Sequence, residues 1–153
     1  MSPVDSMPRG EIALYEAPDG QVRLEVRLER ETIWLSQKQM AELFDTSTDN
    51  VGLHLRNVYV EGELGEEATT EDYSVVQSEG TRQVRRQLKH YNLDVILSVG
   101  YRVNSKRGTQ FRIWATRTLR DHVLQGYSLN ERRRDPRRGN EQAQLFRESV
   151  LGI

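Results

Sequence analysis

The sequence predicts an α+β domain with an N-terminal β-hairpin, a winged-helix-like centre built on a helix-turn-helix, and a C-terminal amphipathic helix. Three observations carry that expectation. Apolar and charged residues alternate strictly from Val22 to Glu29, behind a Pro18-Asp19-Gly20 turn. At Ser36 the apolar spacing changes from that of a strand to that of a helix. A long amphipathic stripe begins at Phe111.

The hairpin comes first. In Pro18-Asp19-Gly20, Pro presets φ and Gly supplies the positive φ of a turn, so Ile12 to Glu16 pairs with the alternating strand beyond it. In that strand Val22, Leu24, Val26 and Leu28 share one face, and Arg23, Glu25, Arg27 and Glu29 share the wet one. A short strand, Thr32 to Leu35, comes next. Ser36 and Gln39 have the spacing of a capping box, and Met40, Ala41, Leu43 and Phe44 form a helical stripe. Asp45 to Thr48 interrupts it with four cap-type residues. A second helix carries Val51, Leu55, Val58 and Tyr59.

The acidic stretch from Glu61 to Asp72 reads as a loop or a short helical turn. Tyr73–Gln77 and Arg82–Tyr91 read as strands joined at residues 78–81. Asn92 caps a short helix from Leu93 to Val99 that Gly100 ends, and Tyr101 to Arg107 is a connection. Phe111, Trp114, Ala115, Thr118, Leu119 and Val123 form the last helix, with Gly126 as the residue that closes it. Residues 131–142 hold no apolar side chain, the composition of a disordered segment. The expected organisation is one domain over 1–130 and a basic tail over 131–153.

Composition narrows the function classes. Leu, Ile, Val and Phe supply 38 of the 153 residues, above the roughly 20 % floor for a packed core. No window approaches the roughly 18 unbroken apolar residues of a membrane span, and the first twenty residues lack the layout of a secretory leader. Zero cysteines exclude a disulfide scaffold, a thiol nucleophile and thiolate metal sites. A cytoplasmic protein without a membrane partner is expected. The net charge of −1 conceals an asymmetry, because residues 1–80 sum to −11 and residues 81–153 to +10. Such a distribution suits binding to a polyanion, or of one half to the other.

Enzymatic signatures are missing from the sequence. His54, His90 and His122 show no metal-binding spacing, and no nucleophile elbow, P-loop or dinucleotide fingerprint occurs. The expectation is therefore no catalytic residue, no metal and no cofactor. Ser36 to Tyr59 instead has helix-turn-helix dimensions, with a small residue, Ala41, where two helices must approach. Its second helix offers Thr48, Asn50, His54, Arg56 and Asn57 to base edges in a major groove. The hairpin after it sits where a winged helix carries its wing, and there Arg82, Arg85 and Arg86 would hold phosphates. Arg102, Lys106 and Arg107 would join them. The alternative for the segment is a helical hairpin that merely closes a core, and Glu42, Asp45 and Asp49 would repel a phosphate backbone.

Several blocks together resemble the virulence-associated RhuM family of bacteria. They are Thr32-Ile33-Trp34-Leu35-Ser36-Gln37 with Met40 to Phe44, and His54-Leu55-Arg56-Asn57 with Glu61-Gly62-Glu63-Leu64. The longest are Tyr91 to Ser105 and Phe111-Arg112-Ile113-Trp114-Ala115-Thr116, the last also similar to phage antirepressor (Bro-N-like) domains. The resemblance spans roughly residues 11 to 130. It implies a DNA-binding-like module, non-enzymatic, of a mobile-element or toxin–antitoxin-like locus, with double-stranded DNA as partner and a homodimer as a further possibility. Fusion of some relatives to a Fic-type AMP-transferase implies an alternative, a protein-interaction module that targets or restrains a toxin enzyme. An unrecognised nuclease or hydrolase is the remaining alternative. The Fic signature HPFxxGNGR has no counterpart here, so AMP transfer is not implied. Relatives continue past Gly126-Tyr127 with a longer helical part, so the chain reads as a truncated member or a fragment.

Overall fold

The computed structural model describes residues 11–131, with side chains as far as His122. Strands β1 (Glu11–Glu16), β2 (Arg23–Glu29) and β3 (Thr32–Ser36) are followed by helices α1 (Gln37–Phe44), α2 (Thr48–Val60) and α3 (Glu66–Thr69). Then come β4 (Thr70–Glu79), β5 (Arg82–Asn92), α4 (Leu93–Val103) and α5 (Ser105–Glu131). The α+β class expected from the sequence is the class observed. The five strands form one antiparallel sheet in the order β1-β2-β3-β5-β4. Among the described residues no helix is long and apolar enough to cross a membrane. The chain divides into two compact units, the first through Gln110 and the second from Phe111.

The alternation that predicts β2 also builds the core of the first unit. Val22, Leu24, Val26 and Leu28 are all buried. The β2–β3 register sets Leu28 against Ile33, so Ile33 and Leu35 extend the same apolar face. Met40, Leu43 and Phe44 of α1, Val51, Leu55 and Val58 of α2, and Val95, Ile96 and Val99 of α4 complete it. The β2–β3 turn is less legible, because Arg30 and Glu31 both adopt positive φ, 55° and 60°. That is a two-residue turn of the type normally filled by Asn-Gly.

The opposite face of the sheet carries a second, polar-aromatic cluster. The Arg27 guanidinium lies 4.4 Å over the Tyr73 ring. Tyr73 meets Trp34 and His90 edge-on, at centroid distances of 5.8 and 5.3 Å. Trp34 Nε1 donates to the Glu29 carbonyl at 2.9 Å. These contacts tie the base of the β4–β5 hairpin to β2 and β3. Beyond that base the two strands of the hairpin pair only with each other, since β3 pairs only with residues His90, Tyr91 and Asn92 of β5.

The sequence misplaces several boundaries. Strand β4 begins at Thr70 rather than Tyr73. Helix α4 runs through Gly100 to Val103, and Tyr101 to Arg107 is helical apart from Asn104. Gly100 is there for close approach, not to end a helix. A Cβ on it would fall 2.7 Å from Phe44 Cζ and 3.3 Å from the Gly108 Cα. The break comes at Asn104, whose Oδ1 accepts from the Arg107 N–H at 3.2 Å and so caps α5. Helix α5 thus starts six residues before Phe111, and it continues through Gly126, which a helix tolerates at a cost of about 1 kcal/mol. In the second unit Phe111, Ala115 and Leu119 are buried. Trp114, expected in the same core, is half-buried against Phe111 at 5.6 Å between ring centroids. Helix α5 continues across the expected boundary at 130/131 to Glu131, and the rest of the expected tail, 132–153, lies outside the described residues.

Two substitutions test this packing. Gly100→Ala gains about 1 kcal/mol of helix propensity but drives a methyl group into the buried Phe44 ring. Chemical denaturation should show a net loss of about 1–3 kcal/mol, and unchanged stability would mean that the helices are farther apart. Glu31→Gly removes one positive-φ side chain and should stabilise by about 0.5–1 kcal/mol. A loss would contradict the turn geometry.

Candidate nucleic-acid interface

The candidate interface begins at Ser36, the last residue of β3 and the cap of α1. Its hydroxyl accepts from the Gln39 N–H at 3.3 Å, and its own N–H donates to Gln39 Oε1 at 2.9 Å. The other half of that amide is also used, with Gln39 Nε2 donating to the Glu25 carbonyl of β2 at 2.7 Å. Helix α1 ends at Asp45, which takes the left-handed conformation (φ 54°, ψ 56°). The Thr46 N–H donates to the Ala41 carbonyl at 3.0 Å and the Asp45 N–H to that of Glu42 at 3.4 Å, the pairing of a Schellman turn. Glycine is the usual residue there, and Asp tolerates the position.

Helix α2 is capped by Ser47, whose hydroxyl accepts from the Asn50 N–H at 3.0 Å. Gln37 reaches across from α1 and donates to the Thr48 carbonyl at 2.7 Å, above Gly52. A Cβ on that glycine would meet Gln37 Nε2 at 2.8 Å. At its far end, Tyr59 donates to the Thr69 hydroxyl at 3.0 Å, which in turn donates to the Gly65 carbonyl. Val51, Leu55 and Val58 face the core.

The side chains expected to reach base edges occupy different parts of α2. Thr48 and Arg56 are exposed, and Asn50, His54 and Asn57 are half-buried along one flank. Asn50 Nδ2 donates to the Thr46 hydroxyl at 3.0 Å, so part of its amide serves the turn. His54 Nδ1 is buried and has no hydrogen-bond partner among the described residues. The outermost stripe is Asp49, Leu53, Arg56 and Val60. Leu53 is 47 % and Val60 78 % exposed. Sequence reasoning missed both apolar positions, although each falls opposite the Val51/Leu55/Val58 face.

The cations separate into two groups. Arg86 forks onto Glu79, with Nη2 2.8 and 3.0 Å from its two oxygens. Arg102 Nη2 donates to Glu61 at 2.8 Å and to Glu63 at 2.7 Å. Those bonds, with one from Ser98, hold the Glu63 carboxyl below its ordinary range. Arg107 donates to the Leu43 carbonyl at 3.1 Å and lies 3.8 Å from Asp19. Lys89 lies 3.5 Å from Glu66. Arg56, Arg82, Arg85 and Lys106, by contrast, form no ion pair among the described residues. Arg85 makes one long bond, 3.4 Å, to the Ser74 hydroxyl. No group of His, Asp and Glu among the described residues is arranged to hold a metal ion.

His90, at the base of the hairpin, is buried, and Nδ1 donates to the Leu88 carbonyl at 2.8 Å. Burial pushes its imidazole below the ordinary value, against a smaller opposing effect of that bond. A group with a lowered folded pKa stabilises above its unfolded pKa, and that contribution is lost as pH falls. Between pH 7 and 5.5 the wild-type melting temperature should therefore drop further than that of His90→Gln. Equal drops would place the titrating group elsewhere.

A family model described as "Virulence protein RhuM family" matches residues 68–152, more than half of the chain. The match takes in β4, β5, α4 and α5, whereas the resemblance read in residues 32–64 lies before it. No curated protein and no solved structure matches the chain.

Proposed function

The chain belongs to the virulence protein RhuM family, and from that premise we propose that its first unit is a non-enzymatic module that binds double-stranded DNA. The observation that carries this reading is the order β3-α1-α2-α3-β4-β5, in which α3 is a single turn and β3 lies beside β5 in the sheet. A strand, a pair of helices and a hairpin that returns beside that strand support a winged-helix-like reading. The second helix of the pair is fixed by caps at the start and by Tyr59 at the end, and the hairpin projects free of β3. A groove about 12 Å wide admits such a helix, and a flanking hairpin suits the adjacent backbone.

The division of cations assigns the roles. Arg82 and Arg85 on the hairpin and Lys106 on α5 can release counterions from phosphates, and Arg56 on α2 is left for a base edge. Arg86, Arg102 and Arg107 neutralise acids or cap carbonyls of the same chain, and they serve the fold. The positive potential at the interface therefore comes from a few residues. The salt slope should be correspondingly shallow, with log K falling by roughly 3 for each unit of log salt at about 0.9 per phosphate.

Filter binding on mixed-sequence duplexes over a salt series tests this. Arg82→Glu with Arg85→Glu should lower affinity about tenfold or more on every sequence and flatten the slope. Arg102→Ala should leave affinity within about twofold while lowering the melting temperature. Binding that is indifferent to salt, or an Arg102→Ala loss as large as that of the hairpin pair, would contradict the assignment.

A further inference from the structure

The exposed stripe of α2 carries an unusual sequence for a surface. Asp49, Leu53 and Arg56 lie at intervals of four and three residues, so they stand one above another on the face opposite Val51, Leu55 and Val58. All three are exposed. They offer, in order along the helix, an acceptor, an apolar surface and a fork of donors. We propose that Leu53 is the specificity-determining residue of α2, and that what it recognises is the 5-methyl group of thymine, with Arg56 taking a guanine beside it. The proposal rests on the DNA-binding reading above.

The chemistry comes from what each side chain can read. In the major groove, thymine is the base that presents a methyl group, and guanine presents O6 and N7 to a bidentate arginine. Leu53 has no polar atom, so apolar contact is its means of discriminating among bases. Arg56 has no acid partner among the described residues, and its charge suits a polyanion better than it suits an apolar protein surface. Asp49, one turn earlier, can accept from a cytosine amino group. It also sits in the first turn of α2, where a negative charge is favoured by the helix dipole. The neighbouring flank is less able to do this work. Asn50 is bonded to Thr46, and His54 turns Nδ1 into the protein.

The test uses the full chain and a duplex site enriched by selection from random sequence. Each thymine of that site is replaced by deoxyuridine, which removes the methyl group and nothing else. Wild-type affinity should fall about fourfold for each contacted methyl. Leu53→Ala should bind the thymine site more weakly and show no further loss on the uridine site. Arg85→Glu should bind both more weakly and keep the fourfold difference. Leu53 is exposed, so Leu53→Ala should keep the wild-type melting temperature. Duplex binding with no response to uridine, or an equal response in wild type and Leu53→Ala, would overturn the assignment and leave the DNA reading standing. Absence of duplex binding by the wild type at low salt would overturn both, and would give the Leu53–Val60 stripe to a protein partner.

Discussion

Everything that faces outward in the first unit depends on one joint, the change from strand to helix at Ser36. β3 pairs with β2 on one side and β5 on the other, and it can hold both only while it remains extended. At Ser36 it stops, and the Gln39 side chain takes over. One amide satisfies the Ser36 N–H and the Glu25 carbonyl together, two groups that the departing strand would otherwise leave open. Buried or half-buried backbone groups left unpaired cost about as much as a lost hydrogen bond, so the exchange fixes where α1 begins. From that point the Asp45 turn sets the start of α2, and the loss of β3 as a neighbour frees the β4–β5 hairpin to project.

Charge obeys the same logic. The acidic first part and basic second part of the sequence look like the footprint of a polyanion site, yet much of the asymmetry is resolved within the fold. Arg86, Lys89, Arg102 and Arg107 each lie beside an acid from the first eighty residues. These exposed or half-exposed pairs contribute little individually, but they remove four cations from the set free to meet phosphate. Net charge by half-chain is therefore a poor guide to the interface, and pairing is a better one.

The sequence made much of this legible. Strand β2 follows from alternation, α1 from the capping box, and the buried faces of α1 and α2 from helical spacing, because each depends on neighbours along the chain. Three features did not. Gly100 reads as a helix end but serves as a contact with Phe44 and Gly108, which only the tertiary fold brings together. Asp45 replaces the expected glycine of the turn, since Asp can also adopt positive φ. The fate of Arg102 is settled by Glu61 and Glu63, some forty residues earlier in the chain, a pairing that no local pattern announces. The exposed position of Leu53 follows from helical phase alone, since it lies opposite Val51, Leu55 and Val58.

The central claim is that α2 and the free part of the β4–β5 hairpin together form one surface for duplex DNA. Hydrogen exchange of the full chain with and without a mixed-sequence duplex at low salt addresses it most directly. Added DNA should slow exchange in residues 48–60 and 82–86 while leaving β1 and the β2–β3 turn unchanged. Protection confined to β1 and β2, or absent from both α2 and the hairpin while DNA is bound, would contradict it.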